Sequence, residues 1–418
     1  MQNSEKDSQK ITTTPPEKSE TTTCCIVGAG PAGVILALLL ARKGVDVTLL
    51  EEHMDFARDF RGDTVHPSTM EMLAQLGLAE RLLQLEHTKV RVLSIKTEQG
   101  TTMSIDFQRL KTPYPYITLI PQSRFLECIT QEASQYPSFH LVMGARAEKL
   151  IEEDGYVHGV HYRGRDGWHE LRATLTVGAD GRFSRTRKLA GFEPITFSAP
   201  MDILWFRLPH QVSDVQEIGF MLGSGHFLIQ LDRGDEWQIG YVIPKGGYQQ
   251  IKAAGLNQFR QDLGKLMPDF VDRMTTITEW KQVAVLSVES SRVKRWYKPG
   301  LLLIGDAAHV MTPIGGVGIN YAIQDAVATA NILTDGLKVG RVSTEDLARV
   351  QRKRERPTRL IQGFQNLVQK QVLARVLGTD STFTIPLLPR LILRMPLLRD
   401  MPANFIGLGF SRERVKNP

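Results

Sequence analysis

Apolar positions along this chain follow two rhythms, and the change from one to the other divides it. Between residues 24 and 52 a short apolar run, "CCIVG", passes through a glycine turn into "PAGVILALLLARKG" and then into a second run, "VDVTLLEE". This order predicts a strand, a helix and a second strand within roughly thirty residues. Further strand-like runs, "ATLTVGA" at 173–179 and "LLLIG" at 301–305, each reach a glycine. From 195 to 290 the pattern becomes alternation, in "DILWFRLP", "HFLIQLD", "EWQIGYVIP" and "WKQVAVLSVESSRV", the period of half-buried strands. Phe227, Ile229 and Leu231, followed across "RGDE" by Trp237, Ile239 and Tyr241, predict a hairpin with one buried face. Residues 257–274 read as a helix broken at a proline. Ser343 ahead of Asp346 marks the cap of a C-terminal helix, whose Arg/Lys cluster at 352–356 reads as a solvated face.

The predicted fold is therefore α/β: a Rossmann-like nucleotide-binding domain with an interleaved β-sheet domain and C-terminal helices. The expected boundaries are a disordered tail at 1–23, the nucleotide domain at 24–194 with a small sheet insertion near 90–110, the interleaved sheet at 195–290, a return to the nucleotide domain at 291–345, and a helical segment at 346–418. Composition adds exclusions. Of 418 residues 42% are hydrophobic and 23% charged, enough for a large core. The net charge of +6 is spread along the chain, without a basic run of the kind that marks a nucleic-acid partner. Three cysteines give neither a disulfide framework nor a zinc spacing and favour a reducing, cytoplasmic setting.

The first turn carries Gly28, Gly30 and Gly33 in GxGxxG spacing, with Glu51 at the end of the second strand. In that context the glycines give a tight turn, room for a pyrophosphate and close helix packing, and the acid meets a ribose. Glu52 is the neighbouring alternative. Two later motifs follow strand-like runs. "VGADGRFSRTRK" holds Asp180, Gly181, Ser184 and Arg187; "LLLIGDAAHVMTPIGGVGIN" holds Gly305, Asp306, Pro313, Gly315, Gly316, Gly318 and Asn320.

With GxGxxG, DGxxSxxR and GDAAHxxxPxxGxGxN in this order over residues 26–325, the chain strongly resembles the class A flavoprotein monooxygenases, such as para-hydroxybenzoate hydroxylase and the ubiquinone-biosynthesis hydroxylases. The resemblance implies FAD as cofactor, NADPH or NADH as electron donor, and O₂ as the source of an oxygen atom inserted into an aromatic or apolar small molecule. It implies that Asp306 meets the ribityl chain, that the helix after Gly316 points its positive end at the flavin, and that Pro313 lies at the flavin face. Arg61 falls where an arginine approaches the cofactor in the family, or else is a surface residue. Gln122 matches a position held by Arg or Gln. Asp180 is associated with pyrophosphate and pyridine nucleotide, though it would also close a turn. The family's sheet roofs the substrate, making Trp205, Arg207, His226, Gln230 and Tyr241 candidate contacts beside an ordinary strand role. His309 is expected to be a hydrogen-bonded structural histidine.

No second GxGxxG unit follows a strand, in keeping with a family that lacks a separate NAD(P)H domain. The rival readings are a flavin-dependent halogenase, against which "EWQIGYVIP" breaks the WxWxIP signature, a prenyl-group reductase, and an FAD-dependent sensor. The closing segment "FTIPLLPRLILRMPLLRDMPANFIGLGF" reads either as a membrane-surface set of helices or as packing against the flavin domain, and its prolines favour packing.

Overall fold

A computed structural model of the protein describes residues 18–57, 62–97, 100, 102–211, 214, 219–223, 225–370, 395 and 398–416. Arg61, the first 17 residues of the expected tail and most of the segment 383–397 lie outside the described residues.

Three sheets organise the chain. The first is largely parallel and runs in the order Tyr297–Lys298, Leu301–Leu303, Gly167–Gly178, Lys18–Val27, Val47–Glu51, Phe139–Met143. Its central strands are "TTTCCIV" and "VTLLE", continuous apolar runs suited to burial on both faces. Helix Pro31–Ala41 covers one face; ten of its residues are buried, as expected of a helix apolar all round. It packs against a long helix, Gly318–Lys338, that follows the third motif. The first strand begins at Lys18 and pairs from there with His169, so residues 18–23, read as tail, are strand.

The second sheet joins Ala284–Val293, Pro194–Pro209, Glu236–Pro244, His226–Asp232, Gly219–Gly223, Val92–Thr97 and Thr102–Asp106, with His309–Val310 at its other edge. Two expectations change here. The strands near 90–110 are no insertion confined to the nucleotide domain: Val92–Thr97 lies parallel to Gly219–Gly223 and extends the second sheet. The hairpin also has two covered faces. Asp232 pairs with Trp237 and Ile229 with Gly240, so odd positions oppose even ones. Phe227, Ile229 and Leu231 thus share one face with Trp205 and Val242, while Trp237, Ile239 and Tyr241 share the other with Leu204 and Phe206. The second face is closed by Phe259, Leu263 and Met274, from helix Leu256–Leu266 and the 3₁₀ stretch Pro268–Thr276 that replaces it at Pro268. The third sheet is small: Thr64–Val65 and Thr88–Val90 flank Ile117–Leu119.

Candidate active site

The glycine turn is built by contact. Gly28 has φ +102°, and a Cβ there would lie 2.6 Å from the Ala179 carbonyl oxygen and from Asp180 Cα. A side chain at Gly33 would start 2.0 Å from the Gly28 carbonyl oxygen. Around Gly30, by contrast, there is open space, at the N-terminus of helix Pro31–Ala41, where backbone N–H groups and the helix dipole favour an anion. Glu51 is buried and its two carboxylate oxygens accept from the Ala29 N–H at 2.9 Å and the His53 N–H at 3.0 Å. Glu52 is exposed and pairs with Arg146 at 3.2 Å.

Asp180 turns away from the turn it follows. It accepts from the Ser184 hydroxyl at 2.5 Å and the Thr186 N–H at 2.8 Å, and burial pushes its carboxyl up against those bonds. Gly181, φ +77°, completes the bend. Arg187, which sequence reading left without a task, donates to the carbonyls of Asp306 at 3.3 Å and Ala307 at 3.0 Å and so joins the second motif to the third.

The third motif begins with a 3₁₀ turn, Gly305–Ala307, that carries the half-buried Asp306. Gly305 has φ +59°, and a Cβ there would lie within 3.3 Å of the Ala32 and Ala322 side chains, so this strand end sits close against both helices. The loop beyond is held from several sides. Gln365 donates to the carbonyls of Thr312 at 3.0 Å and Ile314 at 2.8 Å, flanking Pro313. Thr64 donates to the Gly316 carbonyl at 2.8 Å, and a side chain at Gly316 would meet the Thr64 hydroxyl oxygen at 2.6 Å. Gly315 and Gly316 both have positive φ; Gly318 opens the long helix. Asn320 accepts from the His66 N–H at 3.0 Å and the Thr69 hydroxyl at 2.6 Å. Its side chain therefore fastens the helix start to the neighbouring helix Pro67–Gln75. Gln122 donates to the Gly62 carbonyl at 3.0 Å, and Gly62 lies against Ile319.

Over this loop sits the odd-numbered face of the second sheet. Ile314 packs on the cluster of Ile203, Trp205, Val242, Phe227, Ile229 and Leu231. Gly240 leaves room for the Trp205 ring, which a Cβ would approach to 2.8 Å. Among the five candidate contacts, Trp205 and Arg207 lie on this face. Tyr241, His226 and Gln230 lie on the opposite one, where the Tyr241 hydroxyl meets His226 Nδ1 at 3.0 Å and packs toward Phe259. At the hairpin end Arg233 pairs with Asp63, one residue before Thr64. Ile406, on the short helix Met401–Gly407, lies near Gly315 and joins the cluster containing Leu231. The described end of the C-terminal segment is thus packed against the Gly315 loop and the edge of the second sheet. Among the described residues no helix is long and apolar enough to cross a membrane.

Residues 20–361 match the family model described as FAD binding domain. Over 399 residues the chain is 33% identical to the 6-methylpretetramide 4-monooxygenase of Streptomyces rimosus, covering 94% of this chain and 93% of that one. The chain belongs to the class A FAD-dependent monooxygenases. It is also 25% identical over 315 residues to the pentachlorophenol 4-monooxygenase of Sphingobium chlorophenolicum, across 72% of this chain and 56% of the relative. The p-nitrophenol 4-monooxygenase of Pseudomonas putida shares the fold, with a TM-score of 0.75 at 20% identity, over 94% of this chain and all of the other. As a monooxygenase of this family the protein uses FAD, with NAD(P)H as electron donor and O₂ as oxidant.

The residues present fit FAD. A cradle that no side chain fills lies at Gly30, with a buried acid fixed on the amide beside it. The Gly305–Asp306 turn is gripped by Arg187, and a loop with two left-handed glycines leads into the long helix.

Several residues of the site were not foreseen. Asp325 and Arg354 are fully buried, and Asp325 takes hydrogen bonds from the Gly305 N–H at 3.0 Å, His309 Nε2 at 2.6 Å and Arg354 Nε at 2.8 Å. Burial alone would raise the Asp325 carboxyl, but His309 and Arg354 outweigh it and hold it below the ordinary value. His309 thus has the structural role expected of it. The 352–356 cluster is only partly a solvated face, because Arg354 has no exposure. Its position gave a signal: Leu347, Val350, Arg354 and Ile361 fall on one helical stripe, all buried.

Proposed function

We propose that this monooxygenase hydroxylates a fused-ring aromatic phenol, with the ring system lying between the Pro313–Gly316 loop and the odd-numbered face of the second sheet. The observation that carries the reading is the 33% identity, along nearly the whole of both chains, to an enzyme named for action on 6-methylpretetramide. The half-buried, apolar surface of Phe227, Ile229 and Leu231 beside Trp205 supports it, because flat aromatic substrates gain most from broad apolar and stacking contact.

FAD, when bound and reduced by NAD(P)H, activates O₂ and supplies the oxygen atom. The chain's own residues bind, orient and exclude water. Glu51 would receive the ribose, the N-terminus of helix Pro31–Ala41 and Gly181 would hold the pyrophosphate, and Asp306 would receive the ribityl hydroxyls. Gln122, bonded to the Gly62 carbonyl, would flank the cofactor. Gly318 and its neighbours present N–H groups to the flavin edge, where negative charge on reduction is favoured. Pro313 and Ile314 form the floor on which the substrate is positioned, and Trp205, Ile229 and Leu231 keep it dry. Three buried free thiols, Cys24, Cys25 and Cys128, suit a reducing cytoplasm.

The test is oxidation of NADH and NADPH by FAD-loaded protein, with monocyclic and fused-ring phenols supplied in parallel. A fused-ring phenol is expected to speed the oxidation while lowering the share of peroxide released. Acceleration by monocyclic phenols alone would overturn the substrate class.

A further inference from the structure

We propose that Asp325 is a positioning residue for the cofactor, acting through the Gly305–Asp306 turn. Its carboxylate touches both the turn and the helix Thr344–Val368 behind it. One oxygen, Oδ2, accepts the Gly305 N–H at 3.0 Å and the His309 Nε2–H at 2.6 Å; the other, Oδ1, accepts Arg354 Nε–H at 2.8 Å. All three partners are donors, so the site calls for a group that only accepts. An asparagine of the same shape would turn an N–H against at least one of them.

The geometry gives these bonds a direction. Gly305 has a left-handed backbone with no room for a side chain beside Ala32 and Ala322, and the next residue is Asp306. The turn is held on its N–H side by Asp325 and on its carbonyl side by Arg187, at Asp306 and Ala307. Freed from the first grip, the turn keeps the second and rotates about it, so the Asp306 carboxylate would leave the ribityl chain without unfolding the domain. Behind Asp325 the network continues outward. Arg354 Nη1 lies 3.8 Å from Glu413, which pairs with Lys353 at 2.7 Å. Glu413 thus belongs to the same charge cluster yet makes no contact with the turn, and so separates a role in stability from a role in positioning.

The experiment is FAD titration of the apoproteins of wild type, Asp306→Asn, Asp325→Asn, the double variant and Glu413→Gln, with melting temperatures alongside. Asp325→Asn is expected to weaken FAD by about tenfold or more. The double variant should bind no more weakly than Asp306→Asn alone, within about threefold, because both changes remove the same contact. Glu413→Gln should melt earlier and keep FAD affinity within about threefold of wild type. Should Asp325→Asn give no folded protein, His309 decides. His309→Phe removes a donor to Oδ2 and is expected to weaken FAD, whereas His309→Gln retains an N–H there and is expected to restore it. Unchanged FAD affinity in Asp325→Asn, losses that multiply in the double variant, or equal affinities in the two His309 variants would overturn the proposal. The inference rests on the FAD assignment, whose own failure would appear as wild-type protein that does not bind FAD.

Discussion

The two ends of the cofactor site are made in different ways. At the Gly28–Glu51 end the side-chain and turn hydrogen bonds are short in sequence: the Ala29 amide reaches Glu51 across 22 positions and the Gly28 N–H reaches the Leu50 carbonyl, while the distant backbone of Ala179 and Asp180 closes on Gly28 from outside. At the Asp306–Asn320 end the same kind of backbone is held by distant side chains. Gln365 reaches Thr312 across 53 positions, Thr64 reaches Gly316 across 252, and the His66 amide reaches Asn320 across 254. The first end is a turn whose own glycines and acid lie in one window of chain, with one distant strand end packed on it. The second is a loop whose shape depends on helices and strands that form elsewhere, and perturbations should therefore act sharply at one end and diffusely at the other.

The largest effect is expected from Gly33→Ala. The new Cβ would stand 2.0 Å from a backbone oxygen, so helix and turn must separate, at a cost of about 3 kcal/mol or more. Thermal denaturation and flavin content should both fall; a yellow protein of normal melting temperature would remove the Gly28–Glu51 end from the account.

Next comes His66, which joins the distant end to the C-terminal helix. Its Nδ1–H donates to the Ile406 carbonyl at 2.6 Å, and burial lowers its pKa to about 4. The unfolded chain takes up this proton near pH 6.5 and the native state only near pH 4, so stability is full above about 6.5 and declines as pH falls through that window. The loss amounts to about 3 kcal/mol. Urea unfolding at pH 7 and pH 4.5 measures it, and His66→Asn should flatten the difference. An equal slope in the variant would show that another group carries it.

Glu51→Gln should weaken FAD about thirtyfold, since two amide donors lose a charged acceptor worth about 2 kcal/mol. Glu52→Gln, on an exposed residue paired with Arg146, should leave binding unchanged. The reverse result would move the ribose contact by one residue.

The smallest effect is expected at Gln365→Leu, which strips the Thr312 and Ile314 carbonyls of their donor. A loss of about 1–2 kcal/mol in stability should come with more peroxide released per NAD(P)H oxidised, because the loop beside Pro313 is loosened. Tight coupling in this variant would mean that Gln365 does not shape the distant end.

This contrast also explains what the sequence made legible. The strand, helix and acid around Gly28, Gly30, Gly33 and Glu51 were readable because those residues lie within one window of chain; the contact of Gly28 with Ala179 and Asp180 was not. The Gly305–Asn320 motif was readable as a pattern, but its holders were not. Gln365, Thr64 and His66 are ordinary residues until the fold brings them to the loop. Arg354 looked like part of a charged surface because its partner, Asp325, sits on another helix. The hairpin at 226–244 was recognised, yet its faces were assigned wrongly. Alternation gives the spacing within a strand, whereas the four residues between Asp232 and Trp237 decide which positions oppose each other.

Turnover under ¹⁸O₂, with mass spectrometry of the product, shows whether this chain places one atom of O₂ into an aromatic ring. The expected product is a fused-ring phenol carrying a single ¹⁸O, formed only when NAD(P)H is consumed. A product without label, or NAD(P)H oxidation that proceeds without O₂ and saturates a double bond in the acceptor, would contradict it.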